Sequence, residues 1–541
     1  MLFNRVRQPL MFDIKKLILS LRLDLCEKFG FRRKRNLDLF LSWLIISGVK
    51  EYASLIDDTK FIQFLDEKIS KYRFSLTKLQ YLIYKARSDV RTVFKLPADR
   101  DDYLVWFYTH GLLEHGYWNY LTDLEKKVVL QMPEPWRSRL KPVINEYPRK
   151  VYIAKPFSRR KFGTNLIGYA FGQLGIGEDV RMAGRAMMAV NVPMTMMDFP
   201  PGAEVGNNDL SMAAHVSETA EYAFNIFCLT ALENGRFYAE RGRAQFAERY
   251  NIGYWPWELS AWPKDWRMMI ELVDEVWVST QHTYDSLKSI CDKPLYLMPM
   301  AVELGPVKKF GSRAKIRRHF GLPVNAQLFC FSFDLKSYVD RKNPQACVDA
   351  FLKAFPKNEF DECQVGLVIK VHKPSKPDAV WTKLKRLAAK DKRIHIIEST
   401  LSRPELLALY QSCNCYLSLH RAEGFGRGLA EALQLGLHVI CTGYSGNVDF
   451  CQPPQADLVR YKLVRIRKGQ YPYASGQVWA EPNIDHAASL MRKFVLDNKR
   501  RAPTLGIERF STAEVGLRYK NRLKEIWAER KNIKLQFSAS V

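Results

Sequence analysis

Little in this sequence points to cross-linking, metal capture or membrane passage. No C-x-x-C occurs, the ten cysteines are scattered, and Cys413 and Cys415 are the only close pair. That pattern fits free thiols in a reducing compartment better than disulfides or a structural zinc. Long apolar runs are missing too. The longest, Leu37 to Val49, includes Asp38 and covers thirteen residues, against roughly 20 for a membrane-spanning helix. The opening "MLFNRVRQPLMFDIKKLIL" is broken by charges before it reaches signal-peptide length. A soluble, cytoplasmic protein is the expectation.

Acidic residues are in short supply: 57 Asp and Glu stand against 83 Lys and Arg, a formal net charge of +26. Nucleic acid, an anionic membrane surface, an anionic substrate or a generally basic surface would each account for the excess. Nucleic acid fits least, because no recognition helix, zinc-finger spacing or aromatic RNA-binding sheet signature is present. The one dense run, "RRKR" at Arg32 to Arg35, precedes the amphipathic Leu37 to Val49 segment. It reads either as a peripheral contact with the inner face of the cytoplasmic membrane or as a solvated turn before a core helix.

What is abundant is material for packing. The 541 residues are 47% hydrophobic and 13% aromatic, enough for two to four cores. Residues 1–150 read as a helical extension. "DLFLSWLIISGVKEYASLI" and "FSLTKLQYLIYKARSDVRTVF" repeat apolar residues at three- and four-residue intervals, and "DDYLVWFYTHGLLEHGYWNYLTDLEKKVVLQM" is helical and densely aromatic. Its aromatics read as packing rather than as a ligand box. The proline-marked "MPEPWRSRLKPVINEYP" ends the region.

From Phe162 short apolar strands alternate with helices. "NLIGYAFG", "VPMTMMDF", "YAFNIFCL", "EVWVST" and "LYLMPMAV" form one series; "QLFCFSF", "QVGLVIKV", "RIHIIES", "CNCYLSLH" and "HVICTG" form another. Two blocks of this kind predict two parallel-sheet domains covered by helices on both faces, over 151–305 and 306–505, with the basic stretch from Pro306 to Gly321 as linker. Residues 506–541 read as C-terminal helices free to cross back onto the first block. Ligands of such sheets bind beyond the carboxyl ends of the strands, and the chemistry-bearing residues all fall there.

The first loop, "GYAFGQLGIGEDVR", places Gly172, Gly175 and Gly177 between a strand and a helix, an arrangement that exposes backbone N–H groups to an anion. Alone it is equally a tight turn, and it lacks the glycine spacing and the acidic residue of a nicotinamide site. In the second block Arg341 and Lys342 precede a helix, as a diphosphate would require, and Lys370 ends an apolar strand, where it calls for an anionic partner. The loop "RAEGFGRG" carries Glu423, Gly424, Phe425, Gly426 and Gly428, and Glu431 lies one turn into the helix after it. Its glycines free N–H groups for a phosphate, and Glu431 is placed to accept from a vicinal diol such as a ribose.

The E-x7-E pattern of Glu423 and Glu431 within "HRAEGFGRGLAEALQLGLHVICTGYSGNVDF" resembles the donor-site signature of the retaining GT-B glycosyltransferases of family 4. The resemblance extends through "FDLKSYVDRKNPQACVDAFLKAFP", "LVIKV", "LSRPELLALYQSCNCYLSLHRAEGFG", "YAFGQLGIGEDVR" and "IGYWPWELSAWPKDW", from about Phe162 to Phe450. It implies an α/β GT-B fold of two facing Rossmann-like domains, here with an all-α N-terminal extension. It also implies roles. Arg341 and Lys342, with Lys370 sharing the work, would neutralise a donor diphosphate. Glu423 would contact the transferred sugar, Gly424, Phe425 and Gly426 would hold it through the backbone, and Glu431 would take the ribose hydroxyls. Gly175 and Gly177 would close the opposite wall. Glu258 and Trp257 would lie on the acceptor side, although packing explains Trp255 and Trp257 equally well.

The implied reaction moves a hexosyl group, with retention, from a GDP-, UDP- or dTDP-linked sugar to a saccharide or lipid-linked saccharide in lipopolysaccharide, capsule or exopolysaccharide synthesis. No cofactor and no metal are expected, and Asp99-Arg100-Asp101 reads as a helix start. Two alternatives remain at this level: an inactive GT-B-like interaction protein, and a two-domain nicotinamide enzyme.

Overall fold

The computed structural model describes residues 13–30, 34–69, 76–115, 117–121, 123–140, 154–202, 206–304, 311–335, 337–371, 379–497 and 507–538. The side chains of Lys34 and Arg35 are not among what is described, so the "RRKR" reading lies outside the described residues. Among those residues no helix is long and apolar enough to cross a membrane. By contacts the chain forms two compact units. One comprises Met1–Arg160, Ala231–Asn251 and Glu271–Val273; the other comprises Lys161–Thr230, Ile252–Ile270 and Asp274–Val541.

The first unit is helical. Its helices are short, and polar side chains cap the N-termini of several. The Asp13 carboxylate accepts from the Lys15 N–H at the start of Ile14–Leu21, and Asp58 accepts from Phe61 at the start of Thr59–Asp66. Thr77 and Gln80 close a reciprocal capping box on Lys78–Ala86. Phe40, Leu44, Ile45, Ile83, Tyr103 and Phe107 are buried in its interior. The helix Ala231–Arg241, which the strand–helix alternation assigns to the first sheet domain, packs instead on Ile14–Leu21. Asp99 immediately precedes the helix Arg100–Trp106 but makes no side-chain capping bond, taking the Lys95 N–H instead.

The second unit holds two six-stranded sheets, save for the first two residues of one strand. The first has strands β1 (Lys161–Gly168), β2 (Met194–Asp198), β3 (Tyr222–Phe227), β4 (Tyr250–Tyr254), β5 (Glu275–Val278) and β6 (Leu295–Leu297), in the order β2-β1-β3-β4-β5-β6. The second has β7 (Gln327–Phe333), β8 (Val365–Val371), β9 (Ile394–Ile397), β10 (Cys415–Ser418), β11 (His438–Thr442) and β12 (Ala456–Val459), in the order β12-β11-β10-β7-β8-β9. A hairpin of β13 (Tyr461–Arg465) and β14 (Val478–Pro482) follows. All seven residues of β8 are buried, as expected of a parallel strand covered on both faces. Alternation decides which layer each side chain joins: Leu328 and Cys330 of β7 enter one core, Phe329, Phe331 and Phe333 the other.

The anticipated pair of parallel-sheet domains with a helical N-terminal region is thus present. Three differences have physical causes. β4 reads poorly as a strand because Asn251 and Gly253 interrupt "YNIGY". The hairpin is antiparallel and one of its strands is exposed, so it lacks the apolar run of the buried strands. The second half of the basic linker forms a helix, Arg313–His319, capped by Ser312. The C-terminal helix Thr512–Ser538 lies on Gly175–Ala189. A Cβ on Gly516 would stand 2.1 Å from the Ala186 carbonyl oxygen, and Tyr519 donates to the Pro299 carbonyl at 3.2 Å. Glycine at 516 lets the two backbones meet, which ties the chain's end to the first sheet domain.

Candidate functional site

Strand order reverses between β7 and β10 in the second sheet, and between β1 and β3 in the first. The crevice at such a reversal is where doubly wound sheets take ligands. Beyond the end of β7 the chain makes a tight helical turn, Val339–Lys342, bracketed by Tyr338 and Asn343 in the left-handed region with φ of 59° and 51°. Pro344 then opens the next helix. That bracketing turns Arg341 and Lys342 toward the loop that leaves β10.

There Glu423 receives both cations. Lys342 Nζ donates to its Oε1 at 2.5 Å, and Arg341 Nη1 stands 3.1 Å from its Oε2. Arg341 Nη1 also donates to the Ala422 carbonyl at 2.8 Å, and Nη2 lies 3.8 Å from Glu258 Oε1. Arg341 Nε is buried with no hydrogen-bond partner among the described residues. Burial disfavours the charge on Glu423, but Lys342 and Arg341 more than offset it and hold the carboxyl well below its ordinary range. For Arg341 burial again works against the charge, and Glu423 and Glu258 outweigh it. The cluster is a preformed set of charges, with two cations answering two carboxylates.

The glycines divide by cause. Gly426 caps the helix Arg427–Gln434 with φ of 92°, a conformation that disfavours a side chain. A Cβ on Gly424 would come 2.9 Å from the Trp257 carbonyl, so this loop abuts the segment after β4. Gly177 is required by the protein itself, since a Cβ would meet the Gly172 carbonyl at 2.2 Å. At Gly175 a Cβ would meet nothing within 4 Å, so its glycine answers no neighbour in the protein. Phe425 is buried against Phe450 and Phe510 and leaves only its backbone to a ligand.

Several members were not legible in the sequence. Arg427 opens its helix and pairs with Asp179, one turn into Gly175–Ala189, at 2.5 Å. This brings two helix N-termini to the same crevice, a suitable place for an anion. Ser445 Oγ accepts from the Glu423 N–H at 2.8 Å, and Thr280 donates to the Gly424 carbonyl at 2.7 Å. Arg403 reaches Glu431 at 2.7 Å; burial opposes its charge and the Glu431 carboxylate more than compensates. Arg403 has a local signal in hindsight, a cation at the helix start of "SRPEL", but nothing in the sequence names its partner.

Lys370 stands apart from the Glu423 cluster. It is 4% exposed near the end of β8, donates to the Val371 carbonyl at 3.1 Å, and is held down to about 8 by burial, with Asp334 opposing. On the first-sheet side, Glu258 joins the cluster and Trp257 does not. Trp257 is 2% exposed, its Nε1 donates to the Ala261 carbonyl, and its ring packs on Trp262, Trp266 and Tyr471. Trp255 is equally enclosed. Both tryptophans are buried in support of the segment, so packing accounts for them.

Residues 335–503 match the family model described as glycosyl transferases group 1. Among curated proteins no sequence matches. Of solved structures, sucrose-phosphate synthase from Thermosynechococcus elongatus overlays 68% of this chain and all of its own length at 15% identity, with a TM-score of 0.50. HepE from Anabaena, solved with UDP, overlays 67% of this chain and all of its own length at 12% identity, with a TM-score of 0.47. The former likeness supports the fold, and the family match covers the half of the second unit that holds Arg341, Lys342, Glu423 and Glu431. Residues 335–503 are therefore similar to the group 1 glycosyl transferases, within a chain of GT-B fold.

Proposed function

We propose that the protein is a retaining glycosyltransferase, of the family 4 kind, that moves a hexosyl residue from a nucleoside diphosphate sugar to a hydroxyl of a saccharide or lipid-linked saccharide. The observation that carries this reading is Glu423 held between Arg341 and Lys342 where the strand order reverses. Without donor, that carboxylate neutralises the two cations. A diphosphate would take its place against them and release Glu423 to accept from a hydroxyl of the transferred sugar.

In the transfer, the bond from the anomeric carbon to the β-phosphate oxygen breaks and the acceptor oxygen bonds to the same face. The acceptor proton passes to the departing phosphate oxygen, giving glycoside and nucleoside diphosphate. Arg341, Lys342 and the helix starts at Gly175 and Arg427 stabilise the charge that develops on the leaving group. Glu431 keeps lone pairs beyond its contact with Arg403, enough to accept from a ribose as well. Because fixed cations supply the positive charge, no metal enters this scheme. Turnover is expected to survive EDTA, and a requirement for added Mg²⁺ or Mn²⁺ would count against it.

A thermal-shift panel of GDP-, UDP- and dTDP-sugars, followed by assay of nucleotide release with saccharide acceptors, tests the reading directly. A shift with NAD and with none of the nucleotide sugars would overturn it. Lys370 adds a pH signature. In the donor-free protein its ammonium loses its proton near pH 8, whereas a bound diphosphate favours the charged form. Affinity should therefore be greatest below pH 8 and fall by about tenfold toward pH 9. Lys370→Met should weaken binding at pH 7 and flatten the profile; titration calorimetry at both pH values checks it.

A further inference from the structure

Tyr338 adopts a backbone that bulky residues seldom hold, φ 59° and ψ 86°. Such positions cluster where a side chain is needed for something other than packing. Little of the Tyr338 ring is spent on packing: the residue is 47% exposed, and its ring meets the Tyr471 ring at 4.9 Å. A glycine would fit the same turn without strain.

Tyr471 is buried and its hydroxyl donates to Glu258 Oε2 at 2.5 Å. The Glu258 side chain remains 28% exposed. Tyr471 arrives on the loop between β13 and β14, which is anchored both to the segment after β4 and to the turn after β7. Gln477 accepts from the Ala261 N–H at 3.2 Å, and Gln470 donates to Asp340 at 3.2 Å. Through Tyr471 the loop thus links a half-exposed ring to a partly exposed carboxylate that lies one arginine away from Glu423. Burial, followed by the Glu258 carboxylate, holds the Tyr338 hydroxyl above its ordinary value, which agrees with that proximity.

We propose that Tyr338 and Glu258 form a subsite for a pyranose ring of the saccharide acceptor. This rests on the glycosyltransferase reading above. The C–H face of a pyranose lies flat on an aromatic ring, and a carboxylate accepts from its adjacent hydroxyls. Arg341, shared by Glu258 and Glu423, sets the distance from this subsite to the sugar being transferred. Tyr471 acts as a positioning residue, since it meets Glu258 and not the acceptor.

Saturation-transfer difference NMR with methyl α- and β-glycopyranosides of glucose, galactose and mannose tests this on the full chain. The protein is first saturated with whichever nucleoside diphosphate gives the largest thermal shift. Wild type and Tyr338→Phe are expected to show saturation of the same glycosides. Tyr338→Gly, which suits the backbone and removes the ring, should lose the signal at least tenfold, and Tyr471→Phe should weaken it less. Full signal in Tyr338→Gly, or none in nucleotide-loaded wild type, overturns the subsite while leaving the donor reading intact. A parallel loss of nucleotide binding in Tyr338→Gly also overturns it, because the ring would then act only through the Arg341 turn. Failure of every nucleoside diphosphate to stabilise wild type would instead overturn the transferase reading, and the subsite with it.

Discussion

Glu423→Ala is expected to lower transfer on the order of 10²–10³-fold, destabilise the donor-free protein and enlarge the stabilisation that nucleoside diphosphate confers. The three effects share one cause. Glu423 is the anion that Lys342 and Arg341 meet without donor, so its removal leaves two neighbouring cations less compensated in a buried place. Loss of one member of a buried pair costs roughly 3–5 kcal/mol. The low end applies here, because Arg341 retains the Ala422 carbonyl and the more distant Glu258. A diphosphate entering the variant would find those cations unopposed, so its thermal shift should exceed that of wild type even as turnover falls. The rate loss reflects a group that acts where charge develops on the sugar. Glu423→Gln separates function from scaffolding: it preserves the shape and an acceptor oxygen but not the charge. Near-normal turnover in Glu423→Gln, or a smaller nucleotide shift in Glu423→Ala, would defeat the assignment. Differential scanning fluorimetry with and without nucleotide, beside a nucleotide-release assay, reads all of it.

What could be read from the sequence was what is local. The E-x7-E pair occupies one loop and one helix turn, so its spacing carries its geometry, and Glu423 and Glu431 lie at the crevice with Gly426 capping between them. Arg341 and Lys342 were legible for the same reason, standing just before a proline-started helix. The two series of apolar strands are likewise short-range signals, and they form the two sheets. Illegible were contacts that close over long separations. Tyr471 meets Glu258 across 213 positions and Arg427 meets Asp179 across 248; no periodicity or propensity encodes such pairs. Tryptophan content misleads in a different way. Large aromatic side chains serve packing and binding alike, and only burial shows that Trp255 and Trp257 serve the first while Glu258, beside them, faces the charge cluster.

Arg341→Ala should be at least as damaging, and its damage should depend on pH. The guanidinium is the only group bonded to the Ala422 carbonyl, the Glu423 carboxylate and, at 3.8 Å, the Glu258 carboxylate among the described contacts. Its removal leaves Glu423 with Lys342 alone and Glu258 with the Tyr471 hydroxyl. In wild type the cations hold Glu423 well below its ordinary value. A carboxyl depressed in this way contributes stability above its unfolded value of about 4.5, and that contribution is lost as pH falls through the folded value. In the variant the carboxyl rises, so the stability gap between the two proteins should be fully present at pH 7, near the roughly 3–5 kcal/mol of a broken buried pair, and should narrow below about pH 4.5. Turnover should fall on the order of 10²–10³-fold, with weaker nucleotide binding, because a forked donor aimed at the leaving diphosphate is gone. Arg341→Lys should recover the charge but not the fork, and hence stability more than rate. Urea denaturation at pH 7 and pH 4, together with nucleotide-release kinetics, measures both. A variant within tenfold of wild-type turnover, or a stability gap that widens in acid, would remove Arg341 from the leaving-group site and leave it a purely structural cation.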